Sequence, residues 1–228
     1  MGGQACVLYG AAEFSRDIDF AMLASPANLT RLRAMLAELR AEVIAVPPFE
    51  PEYLRKGHAI HFRCSAAEVA GLRIDVMTRM RGVEPFAKLW QRRVTLQADG
   101  ASYELMSLSD LVKAKKTQRD KDWPMIRRLV EADYFRHQAQ RRRQQIHFWF
   151  LELRTPDILI ELALAYPKIC AKLVEQRALL RLVASKDETT LVRALLEEEV
   201  REREADREYW APLKAELEQL RHARVKKS

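Results

Sequence analysis

The sequence predicts an α/β (α+β) fold, in which a mixed sheet flanked by helices is followed by an all-helical C-terminal region. Runs of alternating apolar and polar residues, the pattern of half-buried strands, lie in the part of the chain before residue 108. From residue 108 onward the chain contains no glycine and follows a helical period. Four prolines mark expected helix starts or breaks there, at Pro124, Pro156, Pro167 and Pro212.

Residues 17–23, DIDFAML, form the first predicted strand. Because side chains alternate along a strand, Ile18 and Phe20 face one side while Asp17 and Asp19 face the other. The next segment predicts a helix that begins at Pro26 and carries apolar residues at helical spacing, at Leu29, Leu32, Leu36 and Leu39.

Two further alternating segments, residues 58–64 and 72–78, are separated by a turn and predict an antiparallel pair. We expect a short strand over residues 43–49, which ends at two prolines, and a short helix near residues 84–92. Asp99-Gly100 lies between two strand-like runs and predicts a hairpin.

The chain has 228 residues, which suits one large domain or two small ones. With 48% hydrophobic residues and a formal net charge of +7, it can bury a core and favours anionic partners such as nucleotides or RNA. A basic helical surface without such a partner is the other interpretation.

Cys6, Cys64 and Cys170 lie far apart, which argues against a disulfide framework or a zinc knuckle. The sequence predicts no secretory signal and no membrane span, so we expect a cytoplasmic protein.

Asp17 and Asp19 lie two residues apart on the first predicted strand, so their carboxylates point to the same side. Side by side they repel each other, and a divalent cation would remove that repulsion. An exposed aspartate pair on the polar face of a sheet is the alternative.

Asp75 is a third acid within an apolar strand. If the two strands are neighbours, three carboxylates converge and can hold two metal ions for in-line phosphoryl transfer.

Phosphate groups also need hydrogen-bond donors. Gly2 and Gly3 would let backbone N–H groups approach an anion closely, and a short helix predicted after them would point its N-terminus at that anion. Ser15 could add a hydroxyl donor. A flexible N-terminus is the alternative interpretation of the two glycines, and a turn is the alternative interpretation of Ser15.

A Gly-Gly pair, a spacer, an Asp-x-Asp and a later lone Asp on a strand together resemble the nucleotidyltransferase superfamily related to DNA polymerase β. The segment DLVKAKKTQRDKDWPMIRRL is similar to the basic helical motif of the bacterial branch that includes the AbiEii-type toxins. This resemblance covers residues 1–133 and implies a nucleotidyltransferase-type mixed sheet. The sequence departs from the family pattern at Glu13, where many relatives carry an arginine.

The resemblance implies a role for each matching residue. Asp17, Asp19 and Asp75 would be the catalytic residues and metal ligands, and would hold two Mg²⁺ ions, with Mn²⁺ as the alternative metal. The nucleotide-binding residues would be Gly2, Gly3, Ser15, Lys115, Lys116, Arg119, Lys121 and Asp122. An exposed basic helix face is the alternative interpretation of the lysines and arginines in this set.

The implied organisation is a catalytic α/β core over residues 1–107, a basic helical motif over 108–134 and a C-terminal helical region over 135–228. The implied function is metal-dependent transfer of a nucleoside monophosphate from an NTP, such as ATP, to a hydroxyl of RNA, tRNA or a protein. A role as a toxin or defence component, with a cognate antitoxin or helical partner, follows by analogy. The alternative is a catalytically degenerate member of the fold that binds nucleic acid or a protein partner.

Overall fold

The computed structural model of the protein describes residues 1–183 and 187–225. The fold combines helices with two small sheets, which confirms the predicted α+β class. The chain forms two compact units that do not follow chain order. The first contains Met1–Leu8, Ala12–Ala114 and the described residues from Glu208 onward, and the second contains Tyr9–Ala11 and the described residues of Lys115–Arg207.

The first unit holds both sheets. Its strands are β1 (Asp17–Ala21), β2 (Glu42–Val43), β3 (Ile60–Arg63), β4 (Arg73–Met77), β5 (Val94–Ala98) and β6 (Ala101–Leu105). Its helices are α1 (Gly2–Leu8), α2 (Pro26–Glu38), α3 (Pro51–Lys56), α4 (Phe86–Arg92) and α5 (Leu108–Ala114), with a 3₁₀ turn at Ala67–Val69. β1, α2 and α4 therefore confirm the strand predicted from residue 17, the helix predicted from Pro26 and the short helix predicted near residues 84–92.

The larger sheet has the strand order β1-β4-β3-β2. The antiparallel pair predicted from the two alternating segments is β3 and β4. Strand β1 adds to the other side of β4 in parallel, which makes the sheet mixed. The hairpin of β5 and β6 turns at Asp99 and Gly100, whose φ angles of 51° and 74° are those of a primed two-residue turn.

The core of the first unit lies on one face of this sheet. Strand alternation turns apolar side chains toward α2 and α3 and leaves polar side chains on the opposite face. The buried residues of this core are Leu29, Leu32, Leu36, Leu54, Ile60, Phe62, Cys64, Ile74 and Val76. The same alternation that builds the core therefore collects the acidic residues on the other face.

Two segments differ from the sequence predictions. Strand β2 consists of Glu42 and Val43, so only Val43 of the segment predicted as a strand, residues 43–49, lies in it. Pro47 and Pro48 have no N–H to donate to a ladder. The helical period expected from residue 108 is interrupted between Ala114 and Asp122. A new helix begins there because proline is tolerated only in a first turn, and Pro124 takes that place.

The second unit contains α6 (Asp122–His137), α7 (Arg143–Glu152), α8 (Pro156–Ala165), α9 (Pro167–Leu173) and the first part of α10 (Glu188–Val225), with a 3₁₀ turn at Ala178–Arg181. The predicted helical C-terminal region is therefore confirmed. Its core includes Tyr134 and Trp149, whose rings meet edge to face with centroids 5.0 Å apart. The indole N–H of Trp149 donates to Asp133 at 2.8 Å, so the buried ring leaves no unsatisfied donor.

A buried arginine ties three segments of the second unit together. Arg177 donates to both carboxylate oxygens of Glu198, at 2.9 and 2.8 Å, and to the carbonyls of Phe150 and Leu153 at 2.8 and 2.9 Å. A buried charge with this many partners avoids the cost of an unpaired one. The pair therefore fixes the end of α7 against α10.

The last part of α10 belongs to the first unit. Glu216 on this helix accepts hydrogen bonds from Lys56 at 2.7 Å and contacts the buried His58 ring nitrogen at 2.8 Å. In the part of the chain that the structure describes, no helix combines the length and hydropathy needed to span a bilayer.

Truncation of Leu54 tests the core of the first unit. Leu54 is fully buried, so Leu54→Ala should lower the free energy of unfolding by about 2–5 kcal/mol through lost burial and a new cavity. Leu23→Ala is the matched control because 54% of Leu23 is exposed, and it should cost less than about 0.5 kcal/mol. Urea unfolding followed by circular dichroism measures both. Equal losses would contradict this placement of the core.

Candidate active site

The three predicted carboxylates lie on one face of the larger sheet. Asp17 and Asp19 share a face of β1, and the parallel register pairs Asp19 with Asp75 of β4. Ile18 and Ile74, also paired with each other, point to the opposite face. The structure therefore brings together the three acids that the sequence analysis singled out.

The Gly-Gly pair contacts this acidic face directly. The N–H of Gly3 donates to Asp19 Oδ2 at 3.3 Å, and a Cβ added to Gly2 would lie 1.7 Å from the same oxygen. A Cβ added to Gly3 would lie 2.3 Å from the hydroxyl of Ser15, which donates to the carbonyl of Asp17 at 3.0 Å. Any other residue at position 2 would therefore displace the Asp19 carboxylate. Residue 2 also has a positive φ of 65°, a backbone conformation that favours glycine.

Two further residues of this face, Arg73 and His61, were not predicted from the sequence. Arg73 donates to both oxygens of Asp75, from Nε at 2.8 Å and from Nη2 at 2.9 Å. His61 Nδ1 lies 2.8 Å from Asp75 Oδ1, because the antiparallel register pairs His61 with Asp75. The signal for Arg73 was its spacing of two residues from Asp75 on one strand. His61 could be found only from the pairing of the two strands.

These neighbours keep Asp75 ionised. Burial by itself would raise the pKa of Asp75, but the hydrogen bonds from His61 and Arg73 outweigh it and hold the pKa below its usual range. The hydrogen bond to Asp75 in turn raises the pKa of Arg73. Asp75 is therefore a fixed negative charge beside Asp19, with both of its oxygens already in contact with a guanidinium.

The donor set fits a hard divalent cation. Carboxylate oxygens are the ligands that Mg²⁺ prefers, and a cation would offset the repulsion between Asp17 and Asp19. Within residues 1–183 and 187–225, no group of three His, Cys, Asp or Glu side chains is arranged to hold a metal ion. Asp75 does not complete such a group with Asp17 and Asp19 because its carboxylate is turned toward the guanidinium of Arg73.

The nucleotide-binding residues predicted in the basic motif lie in the second unit, around Asp122. This buried carboxylate accepts hydrogen bonds from Lys115 at 3.3 Å, Thr117 at 2.6 Å and Arg119 at 2.8 Å. Burial alone would raise the pKa of Asp122, but the positive charge of Lys115 and the hydrogen bond from Thr117 hold it below its usual range. Asp122 is therefore an ionised anchor that fixes the segment between α5 and α6.

The remaining predicted residues of the motif differ in their surroundings. Lys116 forms an ion pair with Glu152 at 2.8 Å, while Lys121 is exposed. Lys115 and Arg119 have a structural partner in Asp122, although 57% of the Arg119 side chain stays exposed. The five predicted nucleotide-binding residues from Lys115 to Asp122 thus belong to the second unit, whereas the carboxylates, glycines and Ser15 belong to the first. Contact of the motif with nucleotide phosphates stays a prediction.

Substitution of Gly2 tests its contact with Asp19. Gly2→Ala should lower the melting temperature and speed amide exchange in α1, because the new Cβ displaces the Asp19 carboxylate. Gly71→Ala is the control, since Gly71 also has a positive φ of 84° but has no atom near its added Cβ. Both variants lose about 1–2 kcal/mol to backbone strain, so only the excess loss in Gly2→Ala reports the clash. The same loss in both would show that residue 2 does not pack on Asp19.

The lowered pKa of Asp75 predicts a pH dependence of stability. Its ionised form stabilises the fold above the unfolded pKa of about 3.9, and that contribution is lost as the pH falls through the lower folded value. Asp75→Asn should therefore cost about 1–3 kcal/mol at neutral pH, and the deficit should shrink below about pH 4. Urea unfolding at several pH values measures it, with Asp99→Asn in the exposed hairpin turn as the charge-matched control. A deficit independent of pH would refute the role of ionised Asp75.

Comparison of the chain with protein-family models, with curated proteins and with solved structures finds no match in any of the three. The function of the acidic face is accordingly inferred from its own side chains. The residues that matter most for that inference are Gly2, Asp17, Asp19, Arg73 and Asp75.

Proposed function

We propose that the chain is a metal-dependent nucleotidyltransferase, which moves a nucleoside monophosphate from an NTP to an acceptor hydroxyl and releases pyrophosphate. One observation carries the proposal: the Gly-Gly backbone packs on Asp19 beside Asp75, on the same sheet face as Asp17. A glycine backbone next to paired carboxylates offers N–H donors for phosphate and oxygen ligands for a metal within a single site.

Each residue of the acidic face has a separate role in this proposal. Asp17 and Asp19 would hold Mg²⁺, which when bound supplies charge neutralisation for the triphosphate and activation of the acceptor hydroxyl. Because Gly2 and Gly3 lack a Cβ, the side chains of Asp19 and Ser15 fit against their backbone, and Ser15 holds the backbone of Asp17 through its hydroxyl. Asp75 is ionised at neutral pH, as a carboxylate that assists deprotonation of a hydroxyl must be.

Arg73 is the cation of this face that is suited to a triphosphate. Its guanidinium lies across Asp75, and the negative charges of Asp17 and Asp19 also raise its pKa. An incoming triphosphate offers Arg73 a stronger bidentate partner than a single carboxylate. Transfer of Arg73 from Asp75 to phosphate would free the third carboxylate at the moment the nucleotide binds.

The acceptor and the biological setting follow from the family resemblance rather than from this geometry. We propose two kinds of acceptor, RNA (tRNA in particular) and a protein hydroxyl. The chain's net charge of +7 is in keeping with a polyanionic acceptor such as RNA. A cytoplasmic toxin or defence component controlled by a cognate antitoxin is the corresponding cellular role.

A second function is favoured by one specific observation. Both oxygens of Asp75 are held by Arg73, and a carboxylate held in this way resembles a structural ion pair more than a metal ligand. The alternative is therefore a catalytically degenerate member of the fold that binds nucleic acid or a protein partner. Such a protein would bind NTP, if at all, without a requirement for metal.

Label transfer tests the enzyme. We expect the purified chain to transfer label from one of the four α-labelled NTPs to bacterial RNA or protein in the presence of Mg²⁺. The Asp17→Asn/Asp19→Asn variant should lose this activity, because the metal ligands lose their charge. The control variant Glu38→Gln/Asp99→Asn removes the same charge from exposed positions and should transfer normally.

Equilibrium binding of the same NTPs separates the two functions. The enzyme requires binding that depends on Mg²⁺ and falls in Asp17→Asn/Asp19→Asn. If a folded chain transfers no label and shows no metal-dependent NTP binding, the degenerate binding module is the correct function.

A further inference from the structure

A cleft of about 420 Å³ opens in the first unit where β1 and β4 end. The carboxyl ends of parallel strands are the usual place for a ligand in sheets of this kind. The lining residues that matter here are Leu23, Arg55, Thr78, Arg79, Phe86 and Tyr209. This cleft is distinct from the acidic face, since Asp17, Asp19 and Asp75 are not among its lining residues.

The cleft carries uncompensated positive charge. Among the residues that the structure describes, neither Arg55 nor Arg79 has an ion-pair partner or a hydrogen-bond acceptor for its guanidinium. Glu84 is the acidic residue in the lining, and it is already paired with Arg92 at 2.5 Å. Two arginines without a counterion in one cleft indicate an anionic ligand.

The stem of the Arg79 side chain packs near the end of α3. Its side-chain stem lies against Gly57, where an added Cβ would be 3.5 Å from Arg79 Cδ. Gly57 ends α3 with a φ of 113°, a conformation that favours glycine. Arg55, on the same helix, lines the cleft as well. The chain therefore places two guanidiniums in one cleft from two different segments.

The cleft also presents flat apolar surface. Tyr209 is 46% exposed and is held edge to face against Trp210, with ring centroids 4.8 Å apart. Phe86 and the exposed Leu23 add further apolar area. Arginines beside exposed aromatic rings are the elements with which proteins bind single-stranded nucleic acid, since the arginines contact phosphates and the rings stack on bases.

We propose that this cleft binds a single-stranded polynucleotide, with Arg55 and Arg79 on its phosphates and Tyr209 stacked on a base. An apolar peptide would leave both guanidiniums unpaired, and an acidic peptide would not use the rings. The volume is enough for about one nucleotide at a time, by comparison with ordinary ligand sites of roughly 300–1,000 Å³. The net charge of +7 favours a polyanion.

The cleft begins close to the acidic face. Met22 and Thr78 line it and directly follow the ends of β1 and β4, three residues beyond Asp19 and Asp75, or about 10 Å at roughly 3.3 Å per residue. A strand bound there would bring a hydroxyl toward the carboxylates and serve as the acceptor. That last step rests on the proposed function, whereas binding in the cleft does not.

Fluorescence anisotropy with a short labelled single-stranded RNA of mixed sequence tests the cleft. The full chain is titrated in EDTA without NTP at several salt concentrations, and a DNA of the same sequence is run in parallel. Arg55→Gln/Arg79→Gln should weaken binding at least tenfold and flatten the slope of log K against log salt by about 1.4, for two lost phosphate contacts. Tyr209→Ala should weaken binding about tenfold with little change in slope.

Matched variants separate the loss of charge in the cleft from a loss of charge elsewhere on the chain. Arg31→Gln/Arg40→Gln removes two exposed charges outside the cleft and should change the slope far less. Arg55→Lys/Arg79→Lys keeps both charges and should restore the slope. Equal slopes in the cleft and control variants would overturn the proposal, whereas tighter binding of RNA than of DNA would assign the cleft to RNA. Because cleft binding is measured in EDTA without NTP, failure of label transfer and failure of cleft binding are separate results.

Discussion

The parallel pairing of β1 with β4 is the constraint on which the first unit depends. It places Asp19 beside Asp75 on one face and Ile18 beside Ile74 on the other. A slip of one residue would turn the carboxylates toward the core and the isoleucines toward water, so the core specifies the register. The hydrophobic packing that stabilises the sheet therefore also assembles its acidic face.

The acidic face is balanced rather than simply negative. Arg73 and His61 lie on the same face as the three aspartates and hold Asp75. Such contacts lower the cost of gathering carboxylates on a folded sheet, since like charges at close range would otherwise raise one another's pKa. Under the proposed function, a phosphate would compete with Asp75 for the guanidinium of Arg73. The two functions considered for the chain differ in whether this exchange takes place.

Local patterns were enough to predict much of this arrangement. Alternation identified the strands with Asp17, Asp19 and Asp75, and Asp99-Gly100 identified the hairpin, because each signal lies within a few consecutive residues. The contacts of His61 with Asp75 and of Asp122 with Lys115 depend on side chains brought together by folding. The helical period of residues 108–135 did not show that Asp122 would draw the preceding segment out of a helix. The same limit applies to the cleft, whose Arg55 and Tyr209 are far apart in the sequence.

The composition of the first unit has a consequence for the order of folding. The described residues from Glu208 onward belong to it, and they are translated only after the whole of the second unit. His58 cannot meet Glu216 until then, although the strand that follows His58 is synthesised early. Tyr209, which lines the cleft, arrives equally late. During translation the second unit can fold first, whereas the first unit and its cleft are complete only after the last helix has been synthesised.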